Sequence, residues 1–195
     1  MSRILKQITV VTDGKSNIDE NSAEAVKEAR EKGIIVNAIG ILPEENSLCA
    51  QQIIEIAKNG EGTYDIVPIE FLRKSLMMVT QKSVQMTLHK AVNSELKNIL
   101  GKSLEEINPN VRVQIVDYIE RLTDNIDLKI AILMDANNIM KNRLDKSKIS
   151  VVKLFKPLKG RKGKTDIHLI SLNPSIAFAI RKAISFLESE YSKAE

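Results

Sequence analysis

The chain has 195 residues, 43% of them hydrophobic and 28% charged, with 29 Lys and Arg against 25 Asp and Glu for a net charge of +4. This balance fits a soluble globular protein of one domain, or one domain with appendages, that buries a real core, and it excludes disorder along the whole length. No apolar run approaches the ~20 residues that a membrane-spanning helix needs, so no membrane role is expected; the polar start Met1-Ser2-Arg3-Ile4-Leu5-Lys6 is unlike a secretory signal. Cys49, alone, precludes an internal disulfide, and with only His89 and His168 beside it a structural zinc site is set aside, so a cytoplasmic location is expected.

The first predicted strand, Ile8-Thr9-Val10-Val11-Thr12, ends at Asp13. A short β-branched run ending at a carboxylate reads as a buried parallel strand that delivers an acid to the carboxyl edge of a sheet. The turn Gly14-Lys15-Ser16-Asn17 leads to a helix from about Ser22 to Lys32, stopped by Gly33. A second strand spans Ile34–Ile41, a helix Leu48–Lys58, and a third strand Gly62–Val67. Strands alternating with helices of this length imply right-handed crossovers and a parallel sheet.

From Ile69 to Leu100 the apolar stripe predicts one long helix ending at Gly101, and a second helical stretch opens at Asn108-Pro109 and runs past Ile119 and Leu122. The pair reads as a helical hairpin that serves as a spacer or dimer contact or, more simply, covers the sheet. The strand Leu128–Met134 then ends at Asp135, as the first strand ends at Asp13; Ile149–Phe155 and Ile167–Ile170 are two further strands, and a helix spans about Pro174 to Tyr191. Two acids brought to one sheet edge could hold a hard cation.

Charge is uneven along the chain: residues 1–70 carry 7 Lys and Arg against 12 Asp and Glu, whereas residues 71–195 carry 22 against 13. The basic stretch 141–164, with Lys159, Arg161, Lys162 and Lys164 at its tip, has Phe155 as its sole aromatic. A stacking platform for nucleic acid is therefore not expected, and a lysine-guarded hairpin is the commoner explanation. Gly14-Lys15-Ser16 is no phosphate loop, because Thr9 stands where that motif requires its first glycine. Neither histidine has a sequence neighbour that suggests nucleophilic catalysis, and Cys49 beside Leu48 and Ala50 reads as packing.

The segments Thr12-Asp13-Gly14, Gly33-Ile34-Ile35-Val36-Asn37-Ala38-Ile39-Gly40-Ile41 and Gly60-Glu61-Gly62-Thr63-Tyr64 resemble, in order and spacing, the second half of a von Willebrand factor A-type domain. The strand into Asp135-Ala136-Asn137-Asn138-Ile139 resembles the opening of such a domain, where the family carries D-x-S-x-S. The layout, second half first, is similar to von Willebrand A-like proteins of sporulation gene neighbourhoods. The resemblance implies a Rossmann-like, mostly parallel sheet flanked by helices, with permuted chain order and a helical hairpin insertion. Residues 1–75 would form the second half of the sheet, 76–125 a helical connector and 126–195 the first half. It also implies that the Asp135 strand lies beside the Asp13 strand.

In the family that edge is a metal-ion-dependent adhesion site. Here the resemblance implies a degenerate one: Asp13, Asp135 and the amide of Asn137 are candidate ligands, Ile139 offers none, and the loop threonine has its nearest counterpart within Ser171-Leu172-Asn173-Pro174-Ser175. The expected cofactor is none or weakly bound Mg²⁺. The function expected is a non-enzymatic protein-binding module or assembly adaptor that contacts its partner through Gly14, Ser16, Asn17 and Asn138, with Lys159, Arg161, Lys162 and Lys164 as a second region. Two alternatives stay open: nucleic-acid or acidic-surface binding through residues 141–164, and a metal-dependent phosphate enzyme at Asp13 and Asp135. A homodimer formed by exchange of halves is a further possibility left open by the connector.

Overall fold

Apolar, β-branched runs become parallel strands. The computed structural model describes residues 4–12, 21–41, 47–134 and 160–189. Within them β1 (Ile4–Thr12), β2 (Ile35–Gly40), β3 (Glu61–Ile66), β4 (Asp127–Met134) and β5 (Thr165–Ser171) form one sheet in the order β3-β2-β1-β4-β5, with every pairing parallel. The fold is α/β and Rossmann-like, as expected. Both halves of the sheet come from one chain. The predicted strand at 149–155 lies outside the described residues.

Among the described residues five α-helices accompany the strands: α1 (Asn21–Glu31), α2 (Ser47–Asn59), α3 (Leu72–Leu100), α4 (Pro109–Asn125) and α5 (Ile176–Glu188). Their ends follow sequence signals. Asn108 caps α4 by accepting from the Asn110 N–H at 2.9 Å, and Ser175 caps α5 by accepting from the Phe178 N–H at 3.3 Å. Pro109, with no N–H to leave unpaired, opens α4, and Gly101 closes α3 in the left-handed region.

One face of the sheet is packed by α1, α2 and α5. Ile8 and Val10 of β1, Val36 and Ala38 of β2, and Ala131 and Leu133 of β4 meet Ala25, Val26, Ala29, Ile53, Ile180 and Ala183 in a continuous apolar core. The opposite face is packed by the first half of α3, through Leu72, Leu76, Val79 and Val84 against Val11, Ile39, Ile130 and Ile132. Leu88 still packs against this core and Lys90 reaches Glu61 of β3 at 3.0 Å, and the rest of the helix packs on α4, where Ile119 is fully buried. The first part of α3 therefore covers the sheet, the simpler of the two readings made from the sequence. Residues 76–84, read as the start of a connector, belong to the core.

The α3 face also buries polar groups. Asn37 Oδ1 accepts from the Thr63 N–H at 2.9 Å where the β2–β3 register shifts, and Thr63 Oγ1 donates to the Val79 carbonyl of α3 at 3.2 Å. Gly62 makes this possible, because a Cβ there would collide with the Val36 carbonyl and the Asn37 side chain. Gln7 Nε2, Thr9 Oγ1, Ser75 Oγ and Ser83 Oγ are buried without a hydrogen-bond partner.

Candidate functional site

The register of β1 with β4 runs from Ile4 opposite Asp127 to Val11 opposite Met134. Both strands end at the same carboxyl edge, β1 at Thr12 and β4 at Met134. Backbone bonds continue the rim on both sides: the Ile41 N–H donates to the Thr12 carbonyl at 2.8 Å, and the Leu172 N–H to the Met134 carbonyl at 2.9 Å. From β1 the chain moves outward to β2 and β3, and from β4 it moves the other way to β5. The gap between β1 and β4 is therefore the point where strand order reverses, the place where open α/β sheets bind ligands.

Thr12, Ile41 and Leu172 are almost completely buried, so they seal the floor of this rim. The next residues in the chain after β1 and β4 are Asp13 and Asp135. These two, with Gly14, Ser16, Asn17, Asn137 and Asn138, lie outside the described residues. Ser171 and Asn173 are exposed at the carboxyl end of β5, beside β4, while the Ser175 hydroxyl is engaged at the start of α5. Among the described residues no group of three or more His, Cys, Asp or Glu could hold a metal ion.

The described end of the basic segment lies elsewhere. Arg161, Lys162 and Lys164 precede β5 at the amino edge of the sheet, opposite the rim that follows Thr12 and Met134; Lys159 lies outside the described residues. Lys162 and Lys164 are exposed. Arg161 is turned inward: its guanidinium donates to the Thr123 and Ile126 carbonyls at the end of α4, the latter at 3.2 Å. This satisfies helix carbonyls that have no intrahelical partner. Burial pushes its pKa down from the usual arginine value, against the opposing effect of Asp124 and Asp127. A contact role read from the sequence does not suit a guanidinium engaged in this way. Gly163 lets the segment approach, because a Cβ would strike the Ile126 carbonyl.

Sequence reasoning passed over Lys129, a cation inside an apolar strand. It is 5% exposed, donates to the Phe186 and Ser189 carbonyls at 2.9 and 2.8 Å, and lies 4.6 Å from the Phe186 ring centre. His168 stacks on the same ring and sits 3.3 Å from Asp166. These groups fasten the end of α5 to β4 and β5. The legible signal was a lysine at an inward position of a buried strand, which demands a partner.

No protein-family model matches this sequence. The chain is 35% identical over 167 residues, 83% of its length and 68% of the relative's, to the uncharacterized protein YabS of Bacillus subtilis (strain 168). A crystal structure of an uncharacterized protein from Alicyclobacillus acidocaldarius subsp. acidocaldarius DSM 446 is similar, with a TM-score of 0.86 and 27% identity over 94% of each chain. The described helices include none long and apolar enough to cross a membrane.

Proposed function

The chain belongs to the family of Bacillus subtilis YabS, and on that premise we propose that it is a non-enzymatic interaction module or assembly adaptor of von Willebrand A-like type. Its working surface is the carboxyl rim between β1 and β4. The observation that supports this is the parallel pairing of those two strands, which terminate together at Thr12 and Met134, immediately before Asp13 and Asp135 in the chain. A permuted chain order would be healed in space by this pairing. Spore formation is the process that the resemblance suggests.

Asp13, Asp135 and the Asn137 amide would supply three oxygens, half of an octahedral shell, to a hard cation such as Mg²⁺. That donor set fits weak binding, with water or a partner's carboxylate completing the shell. Gly14, Ser16, Asn17 and Asn138 would then shape the contact around it.

A photo-cross-linker placed in cells at Asn17 or Asn138, compared with one at Lys162 on the opposite edge, tests this reading. A discrete protein captured from the rim positions and lost on Asp13→Ala is the expected result. Capture from Lys162 alone, or indifference to Asp13→Ala, overturns the rim as the contact surface. Phosphatase activity that disappears in Asp13→Ala overturns the non-enzymatic assignment.

A further inference from the structure

We propose that the outward face of α3 receives helix α4 of a second copy of this chain, so that two helical hairpins clasp each other through surfaces remote from the carboxyl rim. The argument begins with the spacing of residues on α3. Lys74, Met78, Lys82, Met86 and Lys90 recur every fourth position, and all five are exposed, Met78 at 46%. The adjacent row contains Met77, Gln81 and Gln85, and the groove between these rows is lined, among the described residues, by Lys74, Met77, Met78, Gln81, Lys82 and Gln85. Such paired rows are the ridges and grooves by which one helix seats another.

The chemistry of this groove selects its occupant. From Phe71 to Ser94 the chain carries Arg73, Lys74, Lys82 and Lys90 and no acid. Lys90 is paired with Glu61 at 3.0 Å, while Arg73, Lys74 and Lys82 make no ion pair with any described residue. Between the free cations lie flexible, polarizable methionines, which adapt to an apolar partner surface. Methionines in place of aromatic rings make this a poor platform for nucleic-acid bases. An acidic helix with apolar shoulders is what it fits.

The chain itself carries an acidic stripe of this kind on α4, whose two arginines, Arg112 and Arg121, lie off that stripe. Val113, Asp117, Glu120 and Asp124 of α4 follow the spacing of a single helical stripe, and all are exposed, Val113 at 60%. Lys74 and Lys82 are separated by about 12 Å along their helix and Asp117 and Asp124 by about 10 Å along theirs, at 1.5 Å per residue. The two charge pairs therefore match in span. Because both stripes belong to one hairpin, a two-fold axis that sets α3 of each copy on α4 of the other closes the assembly as a dimer.

Sedimentation equilibrium on the full chain across the micromolar range, with and without added salt, tests the proposal. A dimer that weakens with salt is expected, and Lys74→Glu with Lys82→Glu should raise its dissociation constant by about tenfold or more. Asp117→Lys with Asp124→Lys should do the same, and a protein carrying all four changes should recover the dimer. All four positions are exposed. Because Asp124 also acts on Arg161 of its own chain, Asp117→Lys with Glu120→Lys is compared as a second pair that should weaken the dimer likewise, and circular dichroism verifies that each variant folds. A chain that stays monomeric throughout, a dimer indifferent to both reversals, or failure of the four-fold variant to recover overturns the proposal. Binding of an acidic peptide or an anionic vesicle by α3 while the chain remains monomeric also overturns it.

Discussion

The two faces of the sheet are built on different terms. On the face under α1, α2 and α5 the inward strand positions are aliphatic from Ile8 and Val10 to Ala131 and Leu133, with Lys129 a buried exception bonded to the end of α5. On the face under α3 the inward positions include Gln7, Thr9, Asn37 and Thr63, and α3 brings Ser75 and Ser83. Close apolar packing makes the first face the chief source of stability. The second face holds α3 with a few directed bonds and leaves several buried polar atoms unpaired, which costs free energy. Stability is thus concentrated on one side of the sheet, while the side carrying the hairpin is the weaker anchor.

Several substitutions would sharpen or break that contrast. The largest effect is expected on the aliphatic face: Ile180→Ala, at a fully buried position of α5, should lower unfolding free energy by about 2–5 kcal/mol in a denaturant titration. Asn37→Ala on the α3 face should cost about 1–3 kcal/mol, because it leaves the buried Thr63 N–H without its acceptor. The opposite sign is expected for Thr9→Val, which replaces a buried hydroxyl lacking a partner with a methyl of similar size. Its melting temperature should rise, by the equivalent of about 1 kcal/mol. A loss of stability from Thr9→Val would break the contrast, showing that the polar atoms of this face are satisfied in solution.

The smallest effect is expected at the exposed surface between α1 and α5, where Arg181 grips Glu28 with a shortest separation of 2.7 Å. The Arg181 hydrogen bond is the main cause that holds the Glu28 carboxyl below its ordinary range. A depressed carboxylate pKa means that the pair contributes above the ordinary carboxylate range and loses its contribution as pH falls through the lowered value. Arg181→Gln should therefore change the melting temperature slightly near neutral pH, with the difference fading both in acid and in high salt.

The linear chain showed much of this architecture. The runs ending at Thr12 and Met134, the helix stops at Gly33 and Gly101 and the cap at Asn108 are local signals, and each became an element boundary within a residue or two. The resemblance carried by Thr12-Asp13-Gly14 led to the expectation that the Asp13 and Asp135 strands are neighbours, and β1 and β4 do pair. The chemistry of the rim was legible only as residue types, since Asp13, Asp135 and Asn137 lie outside the described residues. Less legible were the roles of cations. Arg161 read as part of a charged surface, yet it closes α4; Lys129 drew no notice, yet it closes α5.

By itself, then, the sequence determined the identity and order of the elements, because periodicity, β-branching and capping act over a few residues. It also determined which acids follow the ends of β1 and β4. Only the tertiary structure decided that Arg161, Lys162 and Lys164 before β5 lie away from the rim, that α3 divides its length between sheet and hairpin, and that most of the buried polar side chains of the described strands gather on the α3 face. Those outcomes depend on which distant surfaces meet, and a side chain's partner across the fold leaves no mark on its neighbours in the chain.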